Sequence, residues 1–378
     1  MPRSLLALAF ILTFSACAPT TDDSANADAT VFVARLGADT VAVERVVRDA
    51  SGADVTLITR VPTTQRTEAR IDLDADSQML GYTSETRDAG GQVIQTLSIT
   101  RDGDSVRVQA GDASPRAFAA GLDALPFVEY AHASFDLALQ RGTNGTLPMA
   151  TNRSILDFTL TRHGQTATVR HPSRGAMAVT LGPDGGLDTL DAAETTRKLL
   201  VTRAPGFDVD AFERRAAALD AGGRGIGALS GRAETQATIN GATITIDHGQ
   251  PSLRGRQVWG SVIPYGNLWR TGADRATHLT SDRPIVLGEG ANALRIPAGT
   301  VTLFSVPEAN GVLIVNEQTG QNGNSYDQTQ DVGRVPFTLE TLTTPVEQLE
   351  IVAEPNGNGG RLVIRWGNRA LSVPLRVE

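Results

Sequence analysis

Eight side chains between residues 248 and 274 could hold a small polar molecule: His248, Arg256, Trp259, Tyr265, Trp269, Arg270, Thr271 and Asp274. Trp259, Tyr265 and Trp269 offer flat apolar walls, and Arg256 and Arg270 carry rigid forks of N–H donors. That combination suits an anionic or sugar-like ligand. The same residues also suit a core, with the tryptophans filling a sandwich and the arginines paired with Asp247, Asp274 or loop carbonyls. Gly255, Gly260, Gly266 and Gly272 serve either arrangement, because both need tight turns. The choice turns on whether Trp269 and Arg270 face a cleft or the interior.

Catalytic chemistry is more weakly indicated. His248, Asp274 and His278 are residue types that ligate zinc or iron, but no two stand at a recognised ligand spacing. Ser252 and Ser261 have His248 as a possible base, yet the chain has no Gly-x-Ser-x-Gly elbow. The glycine-rich run Gly222–Gly227 follows a helical pattern instead of a strand, the reverse of a phosphate loop. No catalytic residue, metal or cofactor is assigned. A hydrolytic or metal-assisted enzyme centred on His248, Arg256, Arg270 and Asp274 stands as the alternative to a binding module.

The formal charge is −8 over 378 residues, with no basic block, which argues against nucleic acid as a partner. The single cysteine, Cys17, excludes an internal disulfide. It follows Arg3, an apolar run Leu5–Leu12 and the small residues Ser15 and Ala16. This is a signal segment with a cysteine at its cleavage point, and it resembles a bacterial lipoprotein signal. Cys17 is then the lipidated residue, and the membrane is a partner through that anchor. Ala18 in place of Asp favours the outer membrane by the lipoprotein sorting rule. Residues 18–29 are small and polar and form a tether.

The elements that must position these side chains are almost all strands. Residues 30–205 alternate apolar and polar residues between turn signals such as Gly37–Asp39, Gly90-Gly91 and Pro183–Gly186. They predict an antiparallel curved sheet, half-barrel-like, with a helical patch opened by Ser114-Pro115 and continued by Phe127–Leu139. His132, His163 and His171 read as structural. Such a half-barrel resembles lipoprotein-carrier and lipid-binding proteins of the envelope, so carriage of a lipid or lipoprotein is a third functional reading. Asp210 reads as the N-cap of a second helix with Glu213 completing a capping box. Residues 206–234 then form a helix and glycine-rich linker. Residues 235–378 predict an antiparallel β-sandwich of jelly-roll type, with a strand at Gln257–Ile263 and hairpin turns at Gly357–Gly360 and Gly367-Asn368.

Several motifs in this last region are shared with one family. Ile244–Arg256, Trp259-Gly260, Pro264–Gly266, Trp269–Ala273, Ile296–Thr300, Thr302–Pro307, Ser325–Asp327 and Asp331–Arg334 resemble the bacterial domain-of-unknown-function 2911 family, over about 235–378. The resemblance implies a secreted or lipid-anchored protein and no established activity. His248 stands where that family has Tyr, and Asp274 where it has Asn. The expectation for the whole chain is a lipid-anchored envelope protein that binds a small polar ligand, a glycan or another envelope protein.

Overall fold

The computed structural model describes residues 29–378. Cys17, the signal segment and nearly all of the tether lie outside the described residues. The described chain is mainly β, with a large curved sheet followed by separate sheets in the C-terminal region.

The first sheet has fifteen strands. Eight consecutive strands, from Thr30–Leu36 to Arg116–Ala119, each pair antiparallel with the next. A second meander runs from Gly145–Ala150 to Leu200–Arg203. The two halves join where Thr30–Leu36 pairs with Leu200–Arg203. The one parallel pairing within this sheet, among the described residues, sets Leu125–Pro126 beside Gly145–Ala150. Parallel neighbours need a crossover, and helix α1 (Ala133–Gln140) lies within it.

Helix α1 is shorter than the sequence suggested. Arg116–Ala119, after Ser114-Pro115, is not helical but an edge strand against Ser105–Ala110. Proline is tolerated there because an edge amide needs no partner. The apolar residues Phe127 and Val128 precede the helix and pack against its core. Residues 133–139 are all buried. Phe135, Ala138 and Leu139 share one cluster with Ile99, Phe158, Leu160 and Val169 of the sheet. A helix covered on every side shows no clean amphipathic stripe, which is why its bounds were hard to read.

The N-terminus of α1 is satisfied from far away. Glu44 accepts the amides of His132 (2.6 Å) and Ala133 (3.2 Å), in place of a local cap. Within α1, the buried Asp136 accepts the Leu187 amide at 2.6 Å and pairs with Arg48 and Arg203. These bonds stabilise a helix end that the low-dielectric interior would otherwise penalise.

Helix α2 (Val209–Ala221) is capped by Asp208, which accepts the Ala211 amide at 2.8 Å. Asp210 is therefore not the cap; its carboxylate faces Arg45 and Arg66, both at 3.4 Å. Glu213 completes no capping box and pairs with Arg66 at 2.5 Å. Val31, Val33, Val43, Ile58 and Val209 form a separate cluster beneath α2. This explains the continuous apolar run Val31–Ala34, since both faces of that strand are covered. The helix is thus docked on the first sheet, and Ile226 and Leu229 beyond it pack there too.

Two further sheets, of six and four strands, enclose one apolar core. The expected strand at Gln257–Ile263 is a series of turns, closed by Ile263 N–H to Val258 O (2.8 Å) and Gly260 N–H to Ile263 O (2.9 Å). Val258, Trp259 and Ile263 are buried in the sandwich core from this irregular segment. The C-terminal hairpin is two strands of 19 residues each, Thr338–Asn356 and Gly359–Val377. Its turn is at Gly357 as expected. Gly367-Asn368, by contrast, is no hairpin turn: it sits mid-strand where the register shifts opposite Val346.

Candidate functional site

The stretch 247–274 divides into residues that build the core and residues that border a cleft. Trp269 and Trp259 are 8% and 4% exposed and meet edge to face at 5.9 Å. Trp269 exchanges backbone hydrogen bonds with Ser305 (2.7 and 2.9 Å). Thr271 is fully buried; its hydroxyl meets that of Ser305 at 2.9 Å, and its carbonyl accepts from Thr277 Oγ1 at 2.7 Å. Trp269 and Thr271 therefore stitch the segment to the strand Gly299–Val306 and present nothing to a ligand.

His248 is likewise withdrawn. It lies on the core side of the strand Ala242–Pro251 with no exposure. Its two ring nitrogens have no well-aligned hydrogen-bond partner. Burial pushes its pKa down, opposed by the nearby backbone of Leu349 and Ile246, so the ring is neutral. Asp274 is exposed on a turn at positive φ, where its carbonyl accepts the Gly323 amide at 3.1 Å. Arg270 is half-buried and donates to Asn324 Oδ1 at 2.9 Å. Burial lowers its pKa, opposed by the charge of Asp274.

No hydrogen bond or salt bridge joins any two of His248, Arg256, Arg270 and Asp274 among the described residues. Nor do the described residues contain a group of three His, Cys, Asp or Glu side chains able to hold a metal. His278, the third candidate ligand, accepts the Gly320 amide at Nε2 (3.0 Å), so that nitrogen is already used.

Three of the eight candidates do meet. Arg256, Trp259 and Tyr265 line a cleft of about 390 Å³ at one end of the sandwich. Arg369, Asn368, Gly367 and Pro345 form its other wall. Tyr265 is 43% exposed and gives the cleft an open aromatic face. The indole N–H of Trp259 is consumed by the Trp366 carbonyl at 2.6 Å, which leaves its ring edge as wall only. Arg256 is anchored through Nε to Leu253 O (2.9 Å) and Nη2 to Ser252 O (2.7 Å). Burial lowers its pKa, as does the neighbouring Arg254, while Glu347 opposes them. Arg369 is held by one bond, Nη1 to Thr341 Oγ1 at 2.8 Å.

Arg369 and Asn368 were not found from sequence, because about a hundred residues separate them from Tyr265 and their neighbour Gly367 read as a turn. Gly367 is what allows the walls to approach. It has φ +57, and a Cβ there would lie 3.2 Å from Val258 and 3.4 Å from Leu253. Arg254, the remaining arginine, belongs to a contact between the two halves of the chain. Its guanidinium pairs with Asp39 at 2.5 Å, and its carbonyl accepts the Ala38 amide at 2.8 Å. The hairpin tip Gly37–Asp39 is thereby fastened beside the cleft.

Comparison with known proteins gives a match to one family model over the C-terminal region and no activity. Residues 230–375 match the model of a protein family of unknown function, DUF2911, in the region where the shared motifs lie. A DUF1089 family protein from Pseudomonas aeruginosa is similar over 40% of this chain and 90% of its own, at 15% identity and TM-score 0.32. A beta-barrel-like protein of DUF1849 from Brucella abortus is similar over 47% and 95%, at 8% identity and TM-score 0.31. No curated protein matches the chain.

Proposed function

We propose, taking residues 230–375 as a DUF2911 domain, that this protein is a lipid-anchored envelope module that binds a small anionic or sugar-like ligand in the Arg256–Tyr265–Arg369 cleft. The observation that carries the reading is the lining itself. Two guanidiniums and an exposed phenol converge on an open cavity of about 390 Å³. Charge-assisted donors beside an aromatic face are what an acidic sugar needs, one part for its carboxylate and one for its ring. The cleft contains no nucleophile with an oriented base, so capture is favoured over turnover. The anchor is Cys17, at the periplasmic face of the outer membrane.

Calorimetric titration with glucuronate, set against glucose, tests the cleft. Glucuronate is expected to bind at least tenfold tighter, and Tyr265→Ala and Arg369→Ala are each expected to abolish binding with unchanged melting. Equal affinity in both variants sinks the assignment. Cys17→Ser is expected to move the protein from the membrane to the soluble fraction, and retention in the membrane would refute the anchor.

A further inference from the structure

We infer that the cavity beneath helix α1 is a second binding site, for a short apolar monocarboxylate. The cavity lies between Phe127 and Phe135 on the helix side and Phe158 and Met177 on the sheet side. It measures about 50 Å³, several times the roughly 10–15 Å³ that one water requires. A diacyl lipid does not fit that volume, whereas a branched chain of a few carbons does.

Two polar features point to a carboxylate. The first is His171, which is 6% exposed and lines the cavity. Its Nδ1 accepts the Ser173 amide at 3.1 Å, so the proton of the neutral ring sits on Nε2. Nε2 is buried and has no hydrogen-bond partner. Burial pushes His171 down to about 4, which keeps the ring neutral at pH 7. The site therefore holds a buried N–H donor with no acceptor, an arrangement that is unfavourable until an acceptor arrives.

The second feature is charge at the mouth. Glu129 is shared by Arg174, 3.2 Å from both of its oxygens, and by Arg197. The two guanidiniums share that one carboxylate, so neither has a salt-bridge partner to itself. Asp274 acts on Arg197 only through its field and forms no salt bridge with it. Burial pushes Arg197 down to about 10, and its guanidinium lies 5.1 Å from the Tyr130 ring centre. A desolvated, half-compensated cation next to an orphan N–H is complementary to a single carboxylate. The aromatic and methionine walls then take the apolar body.

Isovalerate is the probe, titrated into the full chain alongside its neutral amide, acetate and octanoate. Saturable isovalerate binding is expected, at least tenfold tighter than isovaleramide or acetate. His171→Phe keeps an aromatic ring against Phe127 and Phe158 but removes the donor, and is expected to retain the melting temperature and lose at least tenfold in affinity. Arg197→Met is expected to lose a similar factor independently of any effect of His171→Phe on folding. The inference is overturned if no acid saturates at millimolar concentration, if amide and acid bind equally, or if octanoate binds tenfold tighter than isovalerate. It also fails if both variants bind as wild type. The Tyr265→Ala variant is expected to bind isovalerate unchanged, which separates this site from the sandwich cleft.

Discussion

The sandwich cleft and the cavity under α1 use the same residue types to opposite ends. In the sandwich, Arg256, anchored by loop carbonyls, and Arg369, held by the Thr341 hydroxyl, line an open space of about 390 Å³, and the histidine nearest in sequence is lost to the core. Under α1, arginines and a histidine line a small, largely apolar void, and the buried Nε2 of that histidine has no hydrogen-bond partner. The difference comes from what builds each wall. Turns at 252–266 and a register shift at Gly367 leave an open cleft at that end of the sandwich. Regular strands closing on a helix leave only a packing defect, and there a single unpaired group dominates the energetics.

The comparison can be broken most forcefully at the tryptophans. Trp259→Ala is expected to cost about 3–5 kcal/mol, as for other buried aromatics cut to alanine. Tyr265→Ala, on the same cleft but exposed, is expected to cost less than about 1 kcal/mol. Urea denaturation of the two variants measures the contrast, and equal losses would mean that the cleft is a closed core.

In the first sheet, Asp136→Ala is expected to cost about 3 kcal/mol, because it strips Arg48, Arg203 and the Leu187 amide of a buried partner. The two arginines are partly exposed and regain some hydration, so the low end of the range applies. Asp274→Ala, at an exposed turn, is expected to stay within about 0.5 kcal/mol. The urea midpoints of both variants against wild type check the pair.

Glu44 sharpens the same point through pH. Burial pushes its carboxyl up to about 7, outweighing the His132 and Ala133 amides that favour the charged form. Its folded pKa is above the unfolded value of 4.5, so the folded state binds the proton more tightly. The corresponding stability is full below about pH 4.5 and is lost as pH rises through about 7, a change on the order of 3 kcal/mol. Glu44→Gln is expected to flatten that loss between pH 5 and 8 in melting curves (roughly the window set by the two values). An unchanged pH profile in the variant would show that Glu44 is not the titrating group.

A modest effect is expected at Arg270. Its one side-chain bond, to Asn324, implies a cost of about 1 kcal/mol for Arg270→Ala. A loss above about 3 kcal/mol would place it among the structural residues with Trp269.

Strand rhythm and turn signals made the two β-rich regions readable, since alternation and Gly-Asn or Asp-Gly pairs act over a few residues. The motifs of 244–334 carried the family for the same reason: they are contiguous in sequence. The candidate site was readable only in part. Arg256, Trp259 and Tyr265 fall on one cleft, while His248, Trp269 and Thr271 turn inward and Arg270 and Asp274 face a different loop. A strand residue's side is set by register, and His248 falls on the inward side with Ile244 and Ile246.

Composition and local pattern thus determined a mainly β chain with no disulfide, and an arginine-rich, aromatic stretch at 254–270. Tertiary structure alone decided that Gly367 brings Arg369 to Tyr265, that Glu44 caps a helix 88 residues away, and that Nε2 of His171 has no acceptor. Each of those depends on which distant groups exclude water from a given atom, and burial is a property of the whole packed chain rather than of any segment of it.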